Sequence, residues 1–482
     1  MASNQADLES AFAHLTTKEM PKTREPLSLN NLSSEILLLI FEELFYIAPE
    51  SLPKLRHVSR RISDLATPST YRKITLRPET VENLSNADNA RCKVRPNARH
   101  IVINCGLDWD LVASLLSQCP QLETLTYKYA YWQEDQMLKF PPVLQQTLTN
   151  LPHVGLFIEE YMIPKDLSRY GIPSPDHTPF IPAENLKSLH LKYFRAGNIA
   201  YNTAPICNLI TTARNLETLL LDLVAMRPGN FNLQPGKIAP IRKLTLLNDY
   251  WPSSWPWLRE EGRAIWNVSR LSELDIHWGS LGPSLCTFSP PDLPLLKRLR
   301  IGDRGMCDLP LTEEDKRYNE SVTFQLQELL ESRTDFEEMA ISCDLKLFDV
   351  SAITRQGENL RVLALFDVMH GYHNRDTQSL DTVSVHDLAM IQRSCPRLTT
   401  LSLGMNPDEA SDFLKIFSQC RNLHNLFLYL PPLENIEKQI PASAEDKELI
   451  EELAGRLKRE KSGVPFAYIR IDIKSSFWIY ES

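Results

Sequence analysis

From Leu29 onward, apolar residues recur every three or four positions: LNNLSSEILLLIFEELFYIAP places Leu32, Ile36, Leu37, Ile40, Phe41, Leu44 and Phe45 at helical spacing. Ser33 or Ser34 stands where a hydroxyl can cap the first free amides of that helix. The next stretch, PESLPKLRHVSRRISDLATPS, spaces Leu52, Leu55, Val58, Ile62 and Leu65 in the same way, which predicts a second amphipathic helix or a broken pair. The polar residues 1–28, ending in the run Pro21 to Pro26, read as a disordered tail.

Beyond Pro68 the period changes from helix to strand. A short motif recurs, apolar-x-x-apolar-x-apolar, whose last two apolar positions alternate as in a half-buried strand. Clear copies are QLETLTY, NLKSLHL, NLETLLL, RLSELDI, LLKRLRI, NLRVLAL, RLTTLSL and NLHNLFL. Weaker copies are YRKITL, ARHIVI, LPHVGL, IRKLTL, FEEMAI and FAYIRI. Many follow an amphipathic helical pattern, as DWDLVASLLSQCP, APICNLITTAR and DEASDFLKIFSQC do. The steps between copies are mostly about 24 to 30 residues and stretch to about 43 at insertions, against roughly 20 to 29 in a regular leucine-rich repeat. One such unit cannot bury its own apolar face, so stability requires stacking on neighbours. The predicted class is α/β: a small all-α helical unit followed by an irregular leucine-rich-repeat solenoid, with a parallel sheet on the concave face of an arc and helices outside. Tail, helical unit and repeats divide the chain at residues 1–28, 29–70 and 71–482, and no flexible linker is expected.

Composition narrows the function. Among 482 residues, 43% are hydrophobic and 23% charged, ordinary for a folded domain. The net charge of -9 argues against nucleic acid or an anionic membrane as the main partner, since both need a basic footprint. There is no apolar run near the roughly 18 residues of a spanning helix, and the first residues lack signal-peptide character, so the cytoplasm or nucleus is expected. Nine cysteines without a Cys-x-x-Cys pair point to reduced, buried thiols. Cys119, Cys395 and Cys420 each precede the first motif leucine by three residues, where a small side chain seals the helix-to-strand turn.

No phosphate loop, nucleophile elbow or His-Glu-x-x-His pattern occurs. Asp367, His370, His373 and Asp376 come nearest to a metal site, but a solvated insertion loop explains them more simply. A non-catalytic protein without a cofactor is expected.

The stretch Leu29 to Leu76 resembles an F-box, whose pattern opens with Leu-Pro, continues with Glu-Ile-Leu and Ile-Phe, and later reads Val-Cys-Arg-x-Trp-x-x-Leu-Ala. The counterparts are Leu32 and Ser33, then Glu35, Ile36 and Leu37, then Ile40 and Phe41, and finally Val58, Ser59, Arg60, Arg61, Ile62, Leu65 and Ala66. Ser33 replaces the usual proline and Ile62 the usual tryptophan. The resemblance implies that this unit binds the Skp-type adaptor, and through it the cullin scaffold, of an SCF ubiquitin ligase. The adaptor-binding set would be Leu32, Ser33, Glu35, Ile36, Leu37, Ile40, Phe41, Leu44, Leu55, Val58 and Ile62. The competing reading is a helical cap on the end of a repeat scaffold that never joins a ligase. The apolar positions exceed what one stripe requires, which favours a partner.

In the repeats, side chains alternating with the inward leucines face away from the core and form the expected surface for a protein substrate. These include His190, Asp222, Asp275, His277, Arg298, Arg300, Phe427 and Tyr429. Trp251 and Trp255, in the insertion DYWPSSWPWLREE, are a second candidate if they do not fold back over the sheet edge.

Overall fold

Ser33 sets the start of the first helix. Its backbone is extended, its hydroxyl accepts the Ile36 N–H at 3.4 Å, and α1 follows over Ser34–Ile47. The second apolar stretch forms the broken pair: α2 over Leu52–Leu55 and α3 over Arg60–Tyr71. The Ser59 hydroxyl accepts the Ile62 N–H at 3.2 Å and so restarts the chain as α3. Leu37 and Phe41 of α1, Leu52 of α2, and Ile62 and Ala66 of α3 close one small core. Each large apolar side chain buried there contributes roughly 1.5 to 3 kcal/mol. Arg61 fixes the entry to α1 by donating to the Asn30 and Leu32 carbonyls at 2.5 and 2.8 Å.

A single residue, Arg72, separates α3 from the first strand. Its guanidinium lies 5.1 Å from the centre of the Phe45 ring and pairs with Glu42 at 3.5 Å. Its carbonyl accepts the Arg99 and His100 amides, both at 2.9 Å. The helices are thus tied to the first strands without a linker.

The computed structural model describes residues 29–86, 88–104, 106–129, 140–162, 181–192, 203–222, 233, 238–247, 266–277, 290–302, 313–343, 345, 347–367, 382–430, 444–473 and 476–481. The tail 1–28 and the loop residues His370, His373 and Asp376 lie outside them. The chain divides into two compact units, Met1–Leu125 and Thr126–Ser482, so the helices share a unit with the first repeats.

All fourteen motif copies are strands. In the first unit β1 (Lys73–Leu76) pairs in parallel with β2 (His100–Asn104), and β3 (Thr124–Lys128) begins there and ends in the second unit. The second unit continues with β4 (Gly155–Met162), β5 (Leu186–Lys192), β6 (Thr218–Asp222), β7 (Lys243–Leu247), β8 (Glu273–His277) and β9 (Arg298–Gly302). It is completed by β10 (Glu338–Cys343), β11 (Val362–Asp367), β12 (Thr400–Gly404), β13 (Asn425–Leu430) and β14 (Tyr468–Ile473). From β4 to β14 every strand pairs in parallel with its neighbours in chain order. The last strand, β15 (Ser476–Glu481), has no motif and turns back antiparallel on β14, which occupies an otherwise open edge.

Register is set by the apolar pattern. The second motif position is in line on every strand from Leu189 on β5 to Ile469 on β14, and each of these side chains is buried. Helices precede several strands where the pattern places them, including Ala204–Thr212 before β6, Val385–Ser394 before β12 and Ala410–Gln419 before β13. This succession of helix, turn and parallel strand is an α/β leucine-rich-repeat fold.

Side-chain amides staple one repeat to the next. The Asn that opens four motif copies donates backwards: Asn185 to the Leu151 and Val154 carbonyls at 3.0 Å, Asn215 to Glu184 at 2.7 Å, Asn359 to Thr334 at 3.0 Å and Asn422 to Pro396 at 2.9 Å. Gly463 makes the corresponding close approach with its backbone. Its φ is +83° and an added Cβ would lie 2.6 Å from the Arg421 carbonyl oxygen. Gly463→Ala is expected to lower stability by about 1 to 3 kcal/mol, read as a shift in the denaturation midpoint at unchanged slope.

The turn cysteines are placed as their spacing predicts. Cys119 and Cys420 donate to the Leu115 and Ile416 carbonyls, and burial pushes the thiols of Cys119, Cys395 and Cys420 up to about 11. At pH 8 these three positions should alkylate at least about a hundredfold faster in denaturant than in the folded protein, as mass spectrometry of the labelled peptides would register. Equal rates would mean that the turns are open.

Candidate functional site

The first candidate surface is α1. Its core-facing residues use only one side of the helix, and the rest mixes exposed apolar residues with Glu35, Glu42 and Glu43. Ile36, Leu39, Tyr46 and Ile47 are 46%, 60%, 65% and 74% exposed. At 100° per residue these four, with Glu43 among them, fall in a stripe about 100° wide. Of the ten large apolar side chains exposed among the described residues, six lie between Ile36 and Val58. Scattered apolar residues need no explanation, but such a concentration makes α1 a candidate interaction surface.

The expected adaptor-binding residues therefore separate into two groups. Leu37, Phe41 and Ile62 are fully buried and hold α1 to α2 and α3, so they offer no surface to a partner. The correction has a simple cause: a unit of three short helices needs its best apolar residues for itself. Leu32, Ile40, Leu44 and Leu55 are half-buried against that core. Ser33 and Glu35 are exposed at the start of α1, where the main-chain amide and the Ser33 hydroxyl hold the Glu35 carboxyl below its ordinary range. Ile36 and Val58 face solvent. The spacing alone did not single out Leu38, Leu39, Tyr46 or Ile47. The uninterrupted run Leu37 to Phe41, too broad for one stripe, was the available signal.

The second candidate surface is the sheet face whose residues alternate with the inward leucines. Arg298 and Arg300 on β9 are not independent charges. Lys243 meets Glu273 at 3.2 Å, Glu273 meets Arg298 at 2.9 Å, Arg298 meets Glu338 at 3.3 Å, and Glu338 lies 3.8 Å from Arg300. In-register parallel strands roughly 4.8 Å apart make this ladder of alternating sign. Asp275 is half-buried on β8, and Asp222 is buried on β6. His277 ends β8, with its side chain outside the described residues, as are Trp251 and Trp255. His190 is half-buried on β5 opposite a bulge in β4, where Glu160 has a φ of 58°. Burial lowers its imidazole pKa against the opposing pull of Glu159. Phe427 packs on Tyr468 with ring centres 5.3 Å apart, and Tyr429 meets Phe366 edge-on at 5.1 Å.

Among the described residues there is no group of three or more His, Cys, Asp or Glu placed to hold a metal ion. None of the described helices is long and apolar enough to cross a membrane.

No protein-family model matches the chain. No curated protein matches it either. Among solved structures it is similar to a chain of the TLR13–ssRNA13 complex, at 14% identity and a TM-score of 0.28. That alignment covers 78% of this chain and 56% of the other, so this chain spans little more than half its length.

Proposed function

We propose that this protein is the substrate-recognition subunit of an SCF-type cullin ubiquitin ligase, a non-catalytic adaptor acting in the cytoplasm or nucleus. The helices Leu29 to Tyr71 take the place of an F-box and dock the Skp-type adaptor, and through it the cullin scaffold, while the repeats hold the protein to be modified. The observation that carries this reading is the exposed apolar stripe on α1, on a helical unit that already has a closed core of its own. A terminal cap would present a polar outer face. The agreement of Leu32, Glu35, Ile36, Leu37, Ile40, Phe41, Val58 and Arg60 with the F-box pattern supports the same reading.

The work of such a subunit is proximity. Holding a target near a ubiquitin-charged enzyme raises its effective concentration, and no active-site residue is required. The direct join of α3 to β1 through Arg72 suits that task, because a short, braced connection keeps the helices fixed on the first repeats. Co-purification of the Skp-type adaptor with the full chain tests the proposal. An adaptor that does not bind the wild-type chain would favour a repeat scaffold outside any ligase.

A further inference from the structure

The exposed apolar stripe of α1 has a charge in its middle. At 100° per residue, Ile36, Leu39, Tyr46 and Ile47 span about 100°, and Glu43 falls within about 10° of the centre of that span. Ile36, Leu39, Glu43 and Tyr46 also follow one another at steps of three, four and three residues, the spacing of a seam that a partner covers lengthwise. Glu43 is exposed, like the apolar residues around it. Covering the stripe therefore takes its carboxylate out of water too, which is strongly unfavourable unless a cation lies opposite.

The helix supplies no such cation. Its sequence SEILLLIFEELFYI carries Glu35, Glu42 and Glu43 but neither lysine nor arginine, and no basic residue in its last turn offsets the negative end of the helix dipole. Arg72 approaches from one flank. It meets Glu42 at 3.5 Å and lies 5.1 Å from the centre of the Phe45 ring and 6.0 Å from that of Tyr46. Glu42 is about 100° round the helix from Glu43, so this pair belongs to the edge of the stripe and not to its middle. Two copies of the chain meeting through α1 would set carboxylate against carboxylate, so the charge suits a different protein with a basic group at that point.

We propose that the Skp-type adaptor covers this stripe with a lysine or arginine opposite its middle, and that Glu43 is the residue that sets the register of docking and selects the partner. The inference rests on the docking role proposed for α1 and adds a charge pair to an otherwise apolar contact. Apolar side chains supply area but little direction, because burial stabilises them against any apolar surface. A single polar residue in an apolar seam fixes the alignment, since every shifted one leaves the carboxylate covered without its cation.

The test is calorimetry of the full-length chain with the purified Skp-type adaptor. Glu43→Gln should weaken binding at least about tenfold and Glu43→Arg at least about a hundredfold, with thermal melts like that of wild type. Glu79→Gln removes an exposed carboxylate from the helix after β1 and should bind as wild type, which separates a pair at Glu43 from general attraction between charged proteins. Among adaptor variants with one surface lysine or arginine changed to glutamate, one should bind Glu43→Arg at least about tenfold more tightly than the unchanged adaptor does. An adaptor that binds wild type but is indifferent to both Glu43 variants, or a series without that rescue, overturns the charge pair and leaves the ligase reading standing. A wild-type chain that ignores the adaptor overturns both, and one that self-associates instead gives the stripe to a second copy. Should Glu43→Arg fail to fold, Glu43→Gln decides alone.

Discussion

Ile36→Asp combined with Leu39→Asp is expected to weaken capture of the Skp-type adaptor by at least about a hundredfold while leaving thermal unfolding of the chain unchanged. Two exposed apolar side chains, each worth roughly 1.5 to 3 kcal/mol when covered, would be lost, and about 1.4 kcal/mol is a factor of ten in affinity. Neither takes part in the helical core, which Leu37, Phe41, Leu52, Ile62 and Ala66 close without them. Leu37→Asp is the contrasting variant. It buries a charge in that core and should unfold the helices, so a loss of binding there says nothing about the surface. Affinity measured by calorimetry on purified components, with a melt of each variant, separates the two effects. A double variant that binds as wild type would remove the α1 stripe from the adaptor interface.

Gln356→Leu is expected to cost about 2 to 4 kcal/mol of stability, a large effect for a side chain with no part in any proposed interface. The Gln356 amide is 1% exposed and acts as a four-way junction. Its Nε2 donates to the Leu330, Arg333 and Ala352 carbonyls at 3.0, 2.9 and 3.1 Å, and its Oε1 accepts the Phe336 N–H at 3.3 Å. Leu330 lies at the end of the helix before β10, Arg333 and Phe336 lie in the turn between them, and Ala352 is in the short helix after it. Leucine fills similar space but leaves those groups without this partner in a place water does not reach. Chemical denaturation should show a lower midpoint, and a change under about 0.5 kcal/mol would mean that the junction relaxes at little cost.

These two positions illustrate how far the amino-acid order could be read. The fourteen strands were legible because each carries its own signal: a leucine at fixed spacing and an alternation that leaves only one face able to go inward. The first cap was legible as far as a choice between Ser33 and Ser34, since a hydroxyl three residues before a free amide is a local feature, and the structure takes Ser33. The turn cysteines likewise needed only their distance from the next leucine. Gln356 gave no such sign, because its partners lie 20 or more residues away along the chain for all but Ala352.

The candidate surfaces divide along the same line. Sequence alone determined that the helices after Leu29 hold more apolar side chains than one packed stripe needs, and that residues between the inward leucines look outward. Only the tertiary structure decided that Leu37, Phe41 and Ile62 turn to the core while Leu39, Tyr46 and Ile47 stay open, because that depends on where α2 and α3 lie against α1. It also decided that Arg298 joins a ladder of alternating charge with Lys243, Glu273 and Glu338. Residues so distant in the chain become neighbours through strand register, and register is fixed by the stacking of whole repeats rather than by any one of them.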